Sequence, residues 1–145
     1  MIRNAFVAFA ALLTVACSSP SGPSSRGLQV SLAVQQVAAW PSPPEPVFAG
    51  GVNSIVVQGG LTTLCPGYTL EAHADGRRTI NLTVAAQGES EGGCTGPAGY
   101  YTYQATIRGL ASGTYTVNMI HQIRDWPGVS NPETQLVATG TVQVG

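Results

Sequence analysis

Apolar and polar side chains alternate with a period of two along most of the chain from Leu28 onward. In the first such run, Leu28, Val30, Leu32 and Val34 alternate with smaller or polar residues. Because successive side chains of an extended strand point to opposite faces, this pattern predicts strands with one buried face. No segment has a clear helical periodicity. The chain is therefore predicted to be all-β.

Turn-forming residues divide the alternating segments into seven predicted strands. These cover residues 28–35, 54–57, 68–74, 79–87, 101–107, 115–119 and 136–144. The prolines of residues 41–46 end the first strand, since proline cannot donate to a sheet ladder. Gly59-Gly60 is predicted to end the second strand, and Asp75-Gly76 predicts a tight hairpin turn. Short strands at intervals of roughly ten residues are typical of a sandwich or barrel.

One short motif connects this pattern to a known architecture. Leu110, Gly113, Tyr115 and Val117 form the pattern Leu-x-x-Gly-x-Tyr-x-Val. It resembles the tyrosine corner of immunoglobulin-like and fibronectin type III-like domains, in which a Tyr near the start of the penultimate strand bonds to the upstream backbone. The resemblance implies a seven-stranded antiparallel immunoglobulin-like sandwich over residues 28–145. It implies no particular function, because this architecture serves many.

Residues 1–17 have the pattern of a bacterial signal peptide. Arg3 supplies a short positive region, and residues 5–16 are an apolar run in which Thr14 is the only polar member. The run has the length of a signal-peptide apolar region and is too short to cross about 30 Å of hydrocarbon as a helix. We therefore expect an N-terminal signal helix that directs export.

The end of this run, Leu-Thr-Val-Ala-Cys, resembles the lipobox of bacterial lipoproteins, with Leu13 one position further from the Cys than usual. The resemblance implies cleavage before Cys17 and lipid attachment to that residue. Ser18 resembles the outer-membrane sorting choice of cells with two membranes. The alternative is ordinary cleavage after Ser18, which would release a soluble secreted form. Residues 18–27 contain no large apolar side chain and are predicted to be a flexible Ser/Pro tether of at most about 33 Å.

Two cysteines remain once Cys17 is acylated or removed. Cys65 and Cys94 flank the predicted hairpin of residues 68–87, whose open ends lie side by side. An even pair of cysteines in an oxidising compartment predicts a disulfide. The sequence contains no Cys-x-x-Cys motif, so it does not indicate a zinc site instead.

Charge and motif content limit the functions open to this chain. Charged residues make up 9% of it and the formal net charge is −1, so nucleic-acid binding lacks its main driving force. Residues 88–92 match the Gly-x-Ser-x-Gly motif of α/β-hydrolases, but that motif requires a following helix, which is not predicted. No paired acid and base stand out elsewhere. The sequence therefore predicts a protein that is not an enzyme and needs no cofactor.

Two groups of residues are weak candidates for metal ligands. Glu71, His73 and Asp75 share one face of a predicted strand, and Met119 and His121 share a face of another. Either set has ligand atoms that suit a cation. The simpler interpretation is a solvated strand face for the first set, and a core methionine with a hydrogen-bonded histidine for the second. We therefore predict no metal site.

Aromatic residues supply the candidate contact positions. Trp126 lies in a predicted loop, and Tyr100 faces away from its inward-facing neighbours. Exposed aromatics on sandwich loops stack on sugars or anchor protein partners. The sequence predicts a membrane-tethered binding or structural module of the cell envelope, whose partner is an envelope protein or a glycan. A periplasmic metal-handling or carbohydrate-binding domain is the alternative.

Overall fold

A computed structural model of the protein describes residues 28–39, 42–89, 96–125 and 130–145. The predicted signal helix, lipidation site Cys17 and tether lie outside the described residues, as do Cys94 and Trp126. All regular structure within these ranges is β, which confirms the prediction of an all-β domain. In the same ranges, no helix has the length and apolar character needed to cross a membrane.

The described residues form eight strands, not the seven predicted. They are β1 (Gln29–Val37), β2 (Val47–Gly51), β3 (Ser54–Thr63), β4 (Tyr68–Gly76), β5 (Thr79–Gly88), β6 (Gly99–Arg108), β7 (Gly113–Arg124) and β8 (Glu133–Val144). The missed strand is β2, whose sequence Val-Phe-Ala-Gly-Gly has no alternation and directly follows prolines. This segment becomes a strand because it pairs with β3, although its own sequence does not predict one.

The strands form two four-stranded sheets. Sheet I has the order β1-β6-β3-β2, and sheet II has the order β4-β5-β7-β8. All neighbours are antiparallel except β5 and β7, which run parallel, so the expectation of a wholly antiparallel sandwich is wrong at this pair. The chain leaves sheet II after β5, reverses direction in β6 of sheet I, and returns as β7 in the direction of β5.

The hydrophobic core lies between the sheets, on the faces that the alternation predicts for β4 to β7. The largest fully buried side chains are Ile55, Leu61, Ile80, Leu82, Ile107, Met119, Val57, Val84, Val117 and Val144. Each such side chain adds roughly 1.5–3 kcal/mol of stability relative to an exposed position. At one edge of the sandwich β2 contacts β8, and the Phe48 ring occupies the space that a side chain at Gly140 would need.

Two local predictions differ from the structure. Leu136, expected on the inward face, is 60% exposed. In the β7–β8 register Met119 pairs with Ala138 but Ile120 pairs with Leu136, so Val137 is the extra residue of a β-bulge. Because of this extra residue, the side chains of β8 that precede the bulge point to the opposite face from the one predicted. The β4–β5 hairpin is present, but Gly76 still pairs with Ile80, and the turn therefore follows Gly76 instead of containing it.

Candidate functional site

The proline-rich residues 42–46 lead into β2 and separate two clefts at one side of the sandwich. Pro43, Pro44 and Pro46 have no backbone N–H group, so this segment cannot extend the sheet ladder. Pro44 and Glu45 line both clefts. The segment therefore builds a shared wall between them.

The larger cleft, here called the sheet I cleft, has a volume of about 590 Å³. It is lined by Ala33, Val34, Gln35, Pro44, Glu45, Val47, Gln58, Gly59, Thr102, Tyr103 and Gln104. Ala33 of β1 and Val47 of β2 lie on the same face as Gln104 and Gln58, and Val47 is 59% exposed. These strands are the two edges of sheet I. The cleft therefore has apolar side chains on both sides of a floor built by β3 and β6.

A pair of glutamines forms the polar part of that floor. Gln58 and Gln104 are directly opposite each other on β3 and β6, and Gln58 Nε2 donates to Gln104 Oε1 over 2.8 Å. Their outer cross-strand neighbours are Val47 and Ala33, whose side chains cannot hydrogen-bond. The bond uses one polar atom of each amide. Gln58 Oε1 remains as an acceptor and Gln104 Nε2 as a donor at the cleft surface.

Beneath the glutamines, Tyr103 lies across Gly59. The two residues are cross-strand partners, and a Cβ atom at residue 59 would overlap the Tyr103 hydroxyl and come within 2.8 Å of Tyr103 Cζ. A glycine inside a strand often marks such a close approach. The prediction that Gly59-Gly60 ends the strand is wrong, because here the missing side chain makes room for a ring and β3 continues to Thr63.

Tyr103 bridges the sandwich interior to His121 of β7. The Tyr103 hydroxyl and His121 Nε2 are 2.7 Å apart, and the rings meet edge to face at 83° with centroids 5.6 Å apart. Burial lowers the pKa of His121 to about 4 and raises the pKa of Tyr103 above its ordinary value. Both groups are therefore neutral near pH 7. The interpretation of His121 as a hydrogen-bonded core histidine matches this geometry.

His121 also lines the second cleft, here called the edge cleft, which has a volume of about 360 Å³. Gly60, Ile123, Glu133 and Gln135 contribute to its lining with the proline segment. The Tyr103–His121 pair thus connects the floor of the sheet I cleft to the wall of the edge cleft. Neither residue presents an ionised group to either cleft near neutral pH.

The outer face of sheet II carries a different polar arrangement. Asn81 Nδ2 donates to Asp75 Oδ1 and Asn118 Nδ2 donates to Asn81 Oδ1, each over 3.0 Å. Thr139 Oγ1 then donates to Asn118 Oδ1, also over 3.0 Å. These four residues are consecutive cross-strand partners on β4, β5, β7 and β8. They form a continuous hydrogen-bonded row, here called the asparagine ladder.

The weak metal candidates fall into two separate environments. Glu71, His73 and Asp75 are exposed on β4, and Asp75 is the end of the asparagine ladder. Met119 is fully buried in the core, next to the Tyr103-bonded His121. Within the part of the chain that the structure describes, no group of three His, Cys, Asp or Glu side chains is placed to hold a metal ion.

The predicted tyrosine-corner residues surround the start of β7. The Tyr115 hydroxyl donates to the Ala111 carbonyl oxygen over 2.8 Å, and Leu110 and Val117 are buried. The Arg78 guanidinium lies 4.9 Å from the centre of the Tyr115 ring and against Gly113. The β4–β5 turn is thereby packed onto the loop before the penultimate strand. This contact is structural and lies apart from both clefts.

The remaining candidate residues are only partly described. Tyr100 is half-buried on the outer side of β6. Trp126 lies outside the described residues, although its neighbour Asp125 accepts a hydrogen bond from the Tyr68 hydroxyl over 2.7 Å. Cys65 lies beside Gly99, where a Cβ atom would overlap the Cys65 carbonyl oxygen. Its predicted partner Cys94 is five positions before Gly99 in the sequence and is not described.

Sequence reasoning did not find Gln58 and Gln104, the floor of the sheet I cleft. They are 46 positions apart, and neither belongs to a motif. Gln104 lies on a predicted strand, but Gln58 follows the predicted end of its strand at residue 57, so no sequence pattern marked the two as a pair. No family model, curated protein or solved structure matches this chain.

Proposed function

We propose that this chain is a non-enzymatic module of the bacterial cell envelope, anchored by lipid at Cys17, whose sandwich binds an uncharged ligand. The lipobox resemblance and the Ser/Pro tether support the anchored location. The sheet I cleft supports the binding role, and its neutral floor is the observation that carries it. The likeness to immunoglobulin-like domains is part of the proposal and is supported by the Tyr115 hydrogen bond to Ala111.

The groups at the sheet I cleft suit binding better than chemistry. Gln58, Gln104 and Thr102 offer amide and hydroxyl groups, which donate and accept hydrogen bonds without changing protonation state near pH 7. Tyr103 is held protonated by its burial. A concave site with apolar sides and a few polar groups is the usual form of a ligand site.

The anchoring part is tested on protein expressed with its own leader. We expect mass spectrometry to find a mature N-terminus at Cys17 carrying lipid, and fractionation to place the protein with membranes. The variant Cys17→Ser should lose the lipid and the membrane association. Cys65→Ser, with the same chemical change inside the domain, is the matched control and should stay with the membrane fraction. An unmodified Met1 in the wild-type protein would overturn the leader and the anchor.

The Cys65–Cys94 disulfide is a separate part of the proposal. It is supported by the contact between Cys65 and Gly99, which brings the end of the connection that contains Cys94 next to Cys65. In the chain-entropy model, a closed loop of about 30 residues stabilises by roughly 3 to 4 kcal/mol. Peptide mapping of non-reduced protein from the envelope should find the linked pair. Two free thiols in that material would contradict the bridge.

A further inference from the structure

We propose that the sheet I cleft recognises the acetamido group of an N-acetylated hexosamine in a glycan. This inference rests on the proposed binding role of the sandwich and names its ligand. The observation behind it is the row Ala33, Gln104, Gln58 and Val47, which crosses all four strands of sheet I. The row places two amides in the centre and an apolar side chain at each end.

The central amides complement an acetamido group in hydrogen bonding. Such a group has one N–H donor and one carbonyl acceptor. Gln58 Oε1 and Gln104 Nε2 are the polar atoms left by the Gln58–Gln104 hydrogen bond, and they supply one acceptor and one donor. Within the described residues, neither atom has another side-chain hydrogen bond. A ligand amide can therefore bind without first breaking an internal bond.

The cleft sides complement the methyl of the acetamido group. Val47, on the same face as the glutamines, is among the exposed large hydrophobic residues of the described chain, and Pro44 lines the cleft with it. Covering such apolar surface removes it from water and favours binding. A deacetylated sugar has neither the methyl nor the amide carbonyl. It would leave both Val47 and Gln104 without a partner.

The sugar ring has partners at the same site. The Glu45 carboxylate accepts hydrogen bonds, and the Thr102 hydroxyl, which donates to the Gln35 carbonyl oxygen over 3.4 Å, has lone pairs left to accept another. These groups suit the hydroxyls of a hexose. A volume of about 590 Å³ is within the usual range for small-ligand sites.

The topology favours a glycan over an extended peptide at this position. Peptides that join a sheet do so by main-chain hydrogen bonds to an exposed edge. The floor strands β3 and β6 each have a partner on both sides, so their ladder groups are already used. Only side chains are available on this face. Side-chain amides and hydroxyls are sufficient to bind a sugar.

The test measures binding of two disaccharides to the full mature protein in detergent. The probes are N,N′-diacetylchitobiose and cellobiose, which share a β-1,4-linked skeleton and differ in the acetamido groups. We expect calorimetric or NMR titration to show binding of the acetylated sugar at least about tenfold tighter than cellobiose, a difference that loss of two good hydrogen bonds explains. Equal affinity for both sugars, or no binding of the acetylated one, would overturn the proposal.

Variants locate the site. Gln58→Ala and Gln104→Ala should each weaken binding of the acetylated sugar about tenfold or more. Gln29→Ala is the matched control, because Gln29 is an exposed glutamine of the same sheet outside the cleft. Unaltered thermal unfolding of each variant shows that the fold is intact. Equal binding by the cleft variants and the control would place the sugar elsewhere and overturn the assignment.

A third probe, an N-acetylated dipeptide amide, distinguishes glycan from peptide. Binding of this peptide in preference to the disaccharide would overturn the glycan assignment. Failure of sugar binding in a protein that still fractionates with membranes would leave the anchored module standing and remove only the ligand. Loss of membrane association with retained sugar binding would remove the lipid anchor and leave the ligand assignment standing.

Discussion

The outer faces of the two sheets are both rich in neutral amides and hydroxyls, yet they use these groups in opposite ways. On sheet II, the asparagine ladder engages both the Nδ2 and the Oδ1 atoms of Asn81 and Asn118. On sheet I, the Gln58–Gln104 bond engages one polar atom of each amide. Both faces therefore carry neutral amides, and the hydrogen-bond pattern of these amides separates a structural face from one able to bind a ligand.

The two hydrogen-bond patterns differ because different residues lie at the ends of the asparagine ladder and of the glutamine row. The ladder ends in Asp75 and Thr139, which continue the hydrogen-bonding. The glutamine row ends in Ala33 and Val47, which cannot. An amide pair between apolar neighbours keeps unused donors and acceptors, whereas an amide pair between polar neighbours does not.

The largest expected effect concerns the Tyr103–His121 pair, which joins the interiors of the two sheets. The pKa of His121 is about 4 in the folded protein, below the ordinary 6.5, so protons bind preferentially to the unfolded chain between these values. The contribution of His121 to the free energy of unfolding is therefore fully present above pH 6.5. It is lost as the pH falls towards 4, and the total loss is about 3 kcal/mol. Urea unfolding at pH 7, 5.5 and 4 measures this change.

Histidine variants separate this effect from general acid denaturation. His121→Gln should lose stability at pH 7 but show a smaller further loss on acidification. His73→Gln, which removes an exposed histidine of sheet II, should keep the full acid loss of the wild type. Identical acid slopes for all three proteins would show that burial of His121 does not control the pH dependence.

The next largest loss of stability is expected from a substitution on β3 of sheet I. Gly59→Ala places a methyl group against the Tyr103 hydroxyl and ring, and such overpacking should cost about 2 kcal/mol. Because Tyr103 must move away from His121, the cleft floor should also change. Gly96→Ala is the control, since a Cβ atom there would have no neighbour within 4 Å. Chemical unfolding compares the two, and an equal stability would mean that Tyr103 has room to shift freely.

A smaller effect tests the structural role of the asparagine ladder. Asn118→Ala removes two of its hydrogen bonds, and we expect a loss of about 1 kcal/mol because net contributions of partly solvated bonds are modest. The measurement is the denaturation midpoint at constant slope. No loss of stability would mean that water replaces the ladder at no cost, and the two outer faces would then be alike.

The smallest effect should come from the sheet I amides. Gln104→Ala removes one exposed hydrogen bond and should change stability by less than about 0.5 kcal/mol. Comparison of this variant with Asn118→Ala under identical conditions is the direct test of the contrast between faces. A larger loss for Gln104→Ala than for Asn118→Ala would reverse it.

From β4 to β7, the alternation of side chains determined which segments are strands and which residues they bury. Ile80, Leu82, Val84 and Ala86 illustrate this, because all are predicted inward and all are buried. A period of two is a property of each segment by itself, so it is readable without knowing any partner. The same reasoning placed Met119 and His121 on an inward face.

Tertiary structure alone decided which segments become neighbours. The parallel β5–β7 pair, the strand β2 and the bulge that turns Leu136 outward all depend on pairing with distant parts of the chain. The meeting of Gln58 with Gln104, and of Tyr103 with His121, depends on it too. Strand order and register are set by packing and hydrogen bonds between segments, and these have no counterpart in the local sequence of either partner.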